Sequence, residues 1–314
     1  MTQAIGWIFP GQGSQTVGMG RALYETFPAV RDVYECASGI LGYDVAKLCF
    51  EGPTEQLNRT EYTQPALLVA SVAALHLLEA RSCSALVVAG HSLGEYSALV
   101  AAKGVTFADA LQLVHKRATY MAEAVPPGNG VVAAVLGLSC EVVEQACSEA
   151  QARGVVSVAN VNCPGQVVIA GEKTAVEHTL DVLKARGCRR IVRLPVSVPV
   201  HTPLMQSAAD RLAAEIRRVP IAALRVPLVN NADARPLRDP EDIRTSLIKQ
   251  LPSPVLWEAS VRVMWDMGVR TFVEVGPGTV LTGLVKRILP EAVTLNVNDP
   301  ASLEKTADCC KAMG

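Results

Sequence analysis

A serine in the pattern G-x-S-x-G is the residue best placed to do chemistry in this chain of 314 amino acids. Ser92 lies between Gly90 and Gly94, after the apolar run 85–89 and before the helix-like stretch 95–102. A buried strand, this pattern and a helix together predict a nucleophile elbow, with the hydroxyl exposed at the carboxyl end of a sheet. The glycines are needed because side chains there would collide with neighbouring backbone. The positive end of the following helix faces developing negative charge, so acyl chemistry on Ser92 is predicted.

A serine hydroxyl is a weak nucleophile without a neighbouring base, and histidine is the usual base. Of the five histidines, His201 lies in the irregular, proline-containing segment 199–203, where catalytic residues are often found. His91 precedes Ser92, so its side chain is expected to point away from the serine, although it could support the pocket. The others lie in predicted helices: His76, His115 and His178. His201 is therefore the candidate base, and an ordinary loop histidine is the alternative.

A catalytic histidine needs an acceptor that fixes its tautomer, and a backbone carbonyl can serve. In a helix the carbonyl of Gln250 would accept a hydrogen bond from residue 254, but Pro254 has no N–H. That carbonyl is therefore left for another donor, such as the imidazole Nδ1–H of His201. The sequence establishes that the acceptor is available, not that the two residues meet.

Arg117 flanks the apolar stripe of a predicted helix over 106–125, and no carboxylate lies three or four positions from it. A partly buried, unpaired guanidinium is costly and commonly binds an anionic ligand. Its planar fork matches a carboxylate with two hydrogen bonds. The alternatives are a surface arginine, or an arginine paired by a residue elsewhere in the fold.

The elements around these residues alternate between strand and helix. The predicted order is a strand over 5–9, a long helix over 62–80, the strand over 85–89, helices over 95–102 and 106–125, and a late strand over 271–275. That late strand runs into Gly276-Pro277-Gly278 and a further helix. This alternation predicts an α/β fold with a mostly parallel sheet covered by helices.

A compact pattern follows the break at Pro126-Pro127-Gly128-Asn129-Gly130. It comprises strand 131–136, helix 139–152, strand 155–161, strand 166–170, helix 172–186 and strand 189–194, and it closes at Pro195 and Pro199. The order β-α-β-β-α-β is that of a ferredoxin-like unit. We therefore predict a small α+β subdomain over 128–198, inserted into a large domain formed by 1–127 and 199–314.

Composition favours a globular protein with a sizeable core, since 50% of residues are hydrophobic and 19% are charged. The net charge of −1 gives no reason to expect a nucleic acid or an anionic membrane as partner. No apolar run approaches the ~20 residues of a membrane span and no signal peptide is recognisable, so a cytoplasmic location is expected. The nine cysteines include no C-x-x-C and no zinc-like spacing, so free thiols and no metal site are expected.

Five motifs in order carry a resemblance to a known family over nearly the whole chain. They are Phe-Pro-Gly-Gln-Gly-Ser-Gln at 9–15, Gly-His-Ser-Leu-Gly-Glu-Tyr-Ser-Ala at 90–98, Asn-Val-Asn-Cys-Pro-Gly-Gln at 160–166, Val-Pro-Val-His at 198–201 and Glu-Val-Gly-Pro-Gly at 274–278. Together they resemble the malonyl-CoA:acyl-carrier-protein transacylases. The resemblance implies a hydrolase-like α/β core with a ferredoxin-like insert, which agrees with the domains predicted from the pattern.

The resemblance also implies a role for each site residue. Ser92 takes the malonyl group, His201 is its base, and the backbone carbonyl of Gln250 orients that histidine. Arg117 binds the free carboxylate of the malonyl group. The backbone N–H groups of Gln12 and Leu93 form the oxyanion hole. Four further residues are expected to line the substrate pocket: His91, Asn160, Asn162 and Val200.

The implied reaction is a ping-pong transfer without a cofactor. A malonyl group passes from malonyl-CoA to Ser92 and then to the phosphopantetheine thiol of acyl carrier protein, for fatty-acid synthesis. Val200 departs from the serine often found there in stand-alone bacterial members. The adjacent Val-Pro does not resemble the tyrosine-containing motif of methylmalonyl-selective relatives, so malonyl is the expected acyl group.

Several alternatives remain open. A discrete acyltransferase of a polyketide synthase or a malonate-decarboxylase subunit would use the same residues. A serine hydrolase such as a thioesterase would use Ser92 and His201 but would gain nothing from Arg117. A docking protein that keeps the fold without turnover is the non-catalytic rival.

Overall fold

Two β-sheets organise the chain in the computed structural model, which describes residues 4–126, 128–194 and 198–313. The strands of the larger sheet are β1 (Ala4–Phe9), β2 (Val87–Gly90), β7 (Leu228–Val229), β8 (Pro236–Leu237), β9 (Val269–Val275) and β10 (Val293–Val297). Those of the smaller sheet are β3 (Gly130–Leu136), β4 (Val156–Cys163), β5 (Gln166–Glu172) and β6 (Arg190–Arg193). The prolines at 127 and 195, which are predicted to bound the smaller unit, lie outside the described residues.

The larger sheet is mostly parallel, in the spatial order β10-β9-β1-β2-β7-β8. β1 pairs in parallel with β2 and with β9, β2 pairs in parallel with β7, and β8 alone runs antiparallel to its neighbour. The apolar residues of β1 and β2 are buried because helices cover both faces, as is usual for parallel sheets. The α/β core predicted from the alternation is therefore confirmed.

Fourteen α-helices occur within the described ranges. They are α1 (Arg21–Thr26), α2 (Pro28–Leu41), α3 (Val45–Glu51), α4 (Thr54–Leu57), α5 (Thr60–Ala80), α6 (Gly94–Ala101), α7 (Phe107–Ala124), α8 (Cys140–Ala150), α9 (Lys173–Ala185), α10 (Gln206–Arg218), α11 (Pro240–Gln250), α12 (Trp257–Asp266), α13 (Val280–Ile288) and α14 (Pro300–Met313). By length and composition α5 could cross a membrane, but 83% of its most apolar window is buried inside the fold. It is therefore packed as the core helix of a globular domain is.

The smaller sheet is antiparallel, in the order β4-β5-β3-β6, and α8 and α9 pack on one of its faces. The chain order is β3, α8, β4, β5, α9 and β6, which confirms the predicted ferredoxin-like arrangement. The fold is thus a hydrolase-like core with a ferredoxin-like subdomain. The boundaries 1–127, 128–198 and 199–314 stay predictions.

The smaller sheet is joined by backbone hydrogen bonds to the segment that follows α11. Asn160 of β4 and Val255, which follows α11, form an isolated parallel bridge. The N–H of Val161 donates to the carbonyl of Val255 at 2.9 Å, and the N–H of Val255 donates to that of Ala159 at 2.9 Å. The segment after α11 is consequently fixed to the smaller sheet.

Candidate active site

The nucleophile elbow lies at the end of β2 and directly before α6. Ser92 has a φ of 50°, in the left-handed region that costs a non-glycine residue roughly 1–3 kcal/mol. A Cβ atom on Gly90 would lie 1.9 Å from the carbonyl oxygen of Gly94. One on Gly94 would lie 2.1 Å from the carbonyl oxygen of Phe9. The steric reason predicted for both glycines is therefore confirmed.

Asn231 clamps this strained turn, and sequence reasoning missed it. Its Oδ1 accepts a hydrogen bond from the Ser92 N–H at 2.7 Å, and its Nδ2 donates to the carbonyl of Gly90 at 2.7 Å. Asn231 is buried, just after β7, which is the neighbour of β2 in the sheet. An asparagine pair directly after the apolar dipeptide Leu228–Val229 is the sequence signal that could have found it.

His201 meets the serine across 109 positions of sequence, with its Nε2 2.7 Å from Ser92 Oγ. Its Nδ1 lies 3.2 Å from the carbonyl oxygen of Gln250 and 3.0 Å from that of Ser253. Two acceptors at Nδ1 require the proton to be there, so the Nε2 lone pair faces the serine hydroxyl. The structure therefore brings together the predicted nucleophile, base and orienting carbonyl.

The orienting carbonyl differs in one respect from the sequence argument. The carbonyl of Gln250 was predicted to lack a backbone donor because residue 254 is proline. It does accept the N–H of Ser253 at 3.2 Å, and it reaches His201 as well because a carbonyl oxygen has two lone pairs. The second carbonyl, from Ser253, carries no sequence signal because every residue has one.

Burial keeps the imidazole neutral. Loss of hydration, with a smaller contribution from the nearby positive charge of Arg117, lowers the pKa of His201 to about 3, although its hydrogen bonds to the two carbonyls act in the opposite direction. A general base must be unprotonated before the reaction. His201 is therefore in the form that can accept a proton at neutral pH.

Arg117 is fully buried, which rules out the alternative of a surface arginine. Its Nη1 donates to Gln64 Oε1 at 2.6 Å, and its Nη2 donates to Ser92 Oγ at 3.1 Å and to Gln250 Oε1 at 3.2 Å. These three partners are all neutral. Its Nε has no acceptor among the residues the structure describes. The guanidinium stays charged although burial lowers its pKa. A buried cation with one N–H donor, at Nε, unused by the described residues therefore lies beside the nucleophile.

These groups open into one cleft with a cavity volume of about 70 Å³. Sequence-predicted residues that line it are Ser92, His201, Arg117, Gln12, Leu93, His91, Asn160 and Val200. Residues not predicted that also line it are Gln64, Met121, Val132 and Leu194. Asn162 instead lies behind the lining, where its Oδ1 accepts from His91 Nε2 at 2.9 Å.

Two backbone N–H groups at the cleft are the predicted oxyanion hole. Gln12 follows β1, and Leu93 is the residue before α6. Their loops are in close contact, since a Cβ on Gly11 would lie 2.3 Å from the carbonyl oxygen of His91. Within the described chain neither N–H donates to a protein acceptor. Their role as oxyanion donors stays a prediction.

The sequence matches a model of the acyl transferase domain over residues 6–305, so the chain belongs to that class. It is 48% identical over 304 residues to the malonyl CoA-acyl carrier protein transacylase of Escherichia coli K12, covering 96% of this chain and 98% of the relative. The transacylase structure from Coxiella burnetii superimposes with a TM-score of 0.96 at 41% identity, covering 98% of each chain. A malonyl-transacylase in complex with a type II polyketide-synthase acyl-carrier protein gives 0.95 at 45% identity, covering 98% of this chain and 99% of that one. The chain is therefore a member of the malonyl CoA-acyl carrier protein transacylase family.

Proposed function

We propose that this protein transfers a malonyl group from malonyl-CoA to the phosphopantetheine thiol of acyl carrier protein, through an ester on Ser92. The observation that carries this proposal is the position of Arg117. Its buried guanidinium lies 3.1 Å from Ser92 Oγ, on which His201 Nε2 also converges at 2.7 Å. A nucleophile, its base and a fixed positive charge in one cleft suit an acyl group that carries its own carboxylate.

In the first half-reaction His201 Nε2 takes the proton of the Ser92 hydroxyl as Oγ attacks the thioester carbon. The negative charge that forms on the carbonyl oxygen is accepted by the N–H groups of Gln12 and Leu93. One such donor contributes about 3 kcal/mol in comparable sites. The carbon–sulfur bond then breaks, His201 returns the proton to the sulfur, and CoA leaves as its thiol.

In the second half-reaction the thiol of the carrier protein takes the place of CoA. His201 removes its proton as the sulfur attacks the ester carbon, and the same N–H groups accept the oxyanion. The carbon–oxygen bond breaks and the proton passes from His201 to Ser92 Oγ. The enzyme is regenerated, and no cofactor enters either half.

Arg117 provides the selection of acyl group. A malonyl carboxylate would neutralise the guanidinium, whose present partners are neutral amide and hydroxyl oxygens. An acetyl group would leave that buried charge without an anion. The free-energy cost of this exceeds the binding free energy that one methylene group contributes. A hydrolase would have no use for this residue, so the transferase is favoured. Val200 borders the same space and is the departure through which acyl selectivity could vary.

Fatty-acid synthesis is the proposed pathway. Supply of malonyl groups for polyketide synthesis is a second candidate, favoured by the relative solved with a type II polyketide-synthase carrier protein. We propose a cytoplasmic location, since the nine cysteines are all free thiols, as expected in a reducing compartment.

The test is the intact mass of the protein after brief mixing with malonyl-CoA. We expect one malonyl mass on the wild type, none on Ser92→Ala, little with acetyl-CoA, and discharge on addition of holo acyl carrier protein. Release of free malonate without a stable adduct would favour a hydrolase. Neither adduct nor turnover would favour the docking protein or another acyl donor.

A further inference from the structure

A buried carboxylate lies directly behind the nucleophile, and the proposed reaction gives it no role. Glu95 is on the first turn of α6 and is 1% exposed. Its Oε2 accepts a hydrogen bond from the N–H of Asn231 at 3.0 Å and another from Gln250 Nε2 at 3.0 Å. A carboxylate is rarely buried in this way without a function or a charge partner.

Asn231 and Gln250, the two hydrogen-bond partners of Glu95, also form hydrogen bonds with Ser92 or Arg117. The side chain of Asn231 binds the N–H of Ser92 at 2.7 Å. The side-chain amide of Gln250 donates to the Ser92 carbonyl at 2.9 Å and accepts from Arg117 Nη2 at 3.2 Å. Glu95 therefore joins the backbone of the nucleophile to the guanidinium through two neutral amides.

The chemistry of these groups fixes which way the Gln250 amide points. An Arg117 guanidinium has only donors, and an ionised Glu95 carboxylate has only acceptors. The amide must therefore turn Nε2 towards Glu95 and Oε1 towards Arg117. The reverse orientation would place donor against donor and acceptor against acceptor. Without Glu95 this orientation would rest on the Ser92 carbonyl, a neutral acceptor at 2.9 Å, and on Arg117 at 3.2 Å.

The arrangement also places a negative charge near Arg117 without neutralising it directly. Burial raises the pKa of Glu95 to about 7, opposed by the hydrogen bonds from Gln250 and Asn231 and by the charge of Arg117. Oε2 accepts in either protonation state when the proton lies on Oε1. The geometry is thus preserved while Arg117 stays available to a substrate carboxylate.

We propose that Glu95 is a positioning residue for malonyl selection, acting through Gln250 on Arg117 and through Asn231 on Ser92. This inference rests on the proposed malonyl transfer and adds to it the residue that orients the selecting charge. Glu95 touches neither the substrate nor a reacting atom. Its removal should reduce the preference for malonyl over acetyl groups, and not only the stability of the fold.

The test compares kcat/KM for loading from malonyl-CoA and from acetyl-CoA in Glu95→Ala, Glu95→Gln and Glu95→Asp. Rates are normalised to the fraction of serine that reacts with a fluorophosphonate probe. We expect Glu95→Ala to lower the malonyl-to-acetyl ratio by about tenfold or more, because the Gln250 amide then keeps only one of its two acceptors, the Ser92 carbonyl. Glu95→Gln should keep most of the ratio, since its Oε1 can accept both hydrogen bonds. Glu95→Asp should lower the ratio, since the shorter carboxylate cannot meet both donors.

Glu274 supplies the matched control, because it is also a fully buried glutamate bonded to backbone N–H groups. It accepts from Leu281 at 3.1 Å and from Thr282 at 2.8 Å, at the start of α13. Glu274→Ala should lower the unfolding midpoint and leave the ratio unchanged. A Glu95→Ala variant that behaves in the same way would overturn the proposal.

Other outcomes are equally decisive. If Glu95→Ala does not fold, an unchanged ratio in Glu95→Asp overturns the proposal and a lowered ratio supports it. A Glu95→Gln variant as poor as Glu95→Ala would mean that charge is what matters, and would overturn the positioning role. Wild-type protein that loads no malonyl group would overturn the proposed function itself, a failure distinct from normal loading with an unchanged ratio in every variant.

Discussion

The two walls of the cleft are built in different ways. On the wall formed by the larger sheet, the N–H, the carbonyl and the hydroxyl of Ser92 each have a side-chain partner, with distances from 2.7 to 3.1 Å. On the wall formed by the smaller sheet, Val132 and Leu194 contribute apolar surface and Asn160 one amide. The chemistry is therefore concentrated on the first wall, while the second shapes the space.

Strand direction explains part of the polar surface of the first wall. β1, β2 and β7 are neighbours in a parallel arrangement, so their carboxyl ends meet at one edge of the sheet. Gln12, Ser92 and Asn231 each follow one of these ends. Ligands bind at such an edge in open α/β sheets. An antiparallel sheet has no common edge of this kind.

His201→Ala should give the largest effect, because it removes the base that activates the nucleophile. We expect the rate of Ser92 malonylation to fall by about 10³- to 10⁴-fold, with substrate binding changed much less. Mass spectrometry under single-turnover conditions measures this rate of malonylation. His178→Ala, on α9 of the smaller sheet, is the control and should load normally. A loss below about tenfold would mean that His201 is not the base.

Arg117→Ala should come next, with a loss of about 10²- to 10³-fold in kcat/KM for malonyl-CoA, as expected when a buried charge pair is removed. Acetyl-CoA should be accepted relatively better because no guanidinium is left unpaired. Competition between the two thioesters measures the preference. Arg211→Ala, at a partly exposed ion pair with Glu123, is the control. An unchanged malonyl preference in Arg117→Ala would refute the carboxylate-binding role.

Asn231→Ala should reduce loading by about 10- to 100-fold and lower the unfolding midpoint. It removes two buried hydrogen bonds from a turn that is held in the left-handed region. Stopped-flow loading and thermal unfolding measure the two effects. Asn298→Ala is the matched control, because it also removes two side-chain hydrogen bonds of an asparagine that follows a strand, to Gly278 and Ser302. Normal loading by Asn231→Ala would show that the elbow does not need the clamp.

Asn162→Ala tests the other wall. It removes the hydrogen bond that Asn162, on β4 of the smaller sheet, accepts from His91 Nε2. A neutral hydrogen bond contributes about 1 kcal/mol, so kcat/KM should fall less than tenfold. Steady-state assays of kcat/KM for Asn162→Ala and Asn231→Ala test this prediction. A loss in Asn162→Ala as large as that in Asn231→Ala would mean that the two walls do not differ in their importance for catalysis.

The smallest expected effect is the change of kcat/KM with pH. The pKa of His201 is lowered to about 3 by burial, so the base stays unprotonated well below the ordinary histidine range. Activity that needs neutral His201 should therefore persist as pH falls, and kcat/KM should stay nearly level from about pH 8 to about pH 5. An acid limb near 6.5, the unperturbed pKa of histidine, would show that the imidazole is hydrated in solution.

The sequence predicted the helices and strands whose hydrophobic periodicity extends over many consecutive residues. The helices expected over 62–80 and 106–125 are α5 (Thr60–Ala80) and α7 (Phe107–Ala124), and all six elements of the smaller unit occur in the expected order. β7 and β8 have two residues each, too short for any period to be visible. β10, with the alternating sequence Val-Thr-Leu-Asn-Val, was missed although its pattern is typical of a strand.

In the site too, residues whose role follows from their neighbours in sequence were predicted, and residues whose role depends on distant contacts were not. Ser92 was found because its neighbours in sequence define the elbow, and Arg117 because its own helix offers no carboxylate. Glu95 and Asn231 were missed because their significance arises only when residues 136 positions apart meet. The predicted helix over 139–152 ended too late, since α8 gives way to a 3₁₀ turn at Gln151–Arg153 before Gly154.

The order of strands in the larger sheet has a consequence for how the chain folds during synthesis. β1 lies between β2 and β9, and Ile5 pairs with Thr271, so one neighbour of the central strand is made long after it. The smaller sheet is contiguous, from Gly130 to Arg193, and needs no residue outside that range to pair its strands. Contacts close in sequence form faster than distant ones. We therefore expect the smaller sheet to fold on the ribosome while β1, although made first, waits for the last quarter of the chain before Ser92 is set in place.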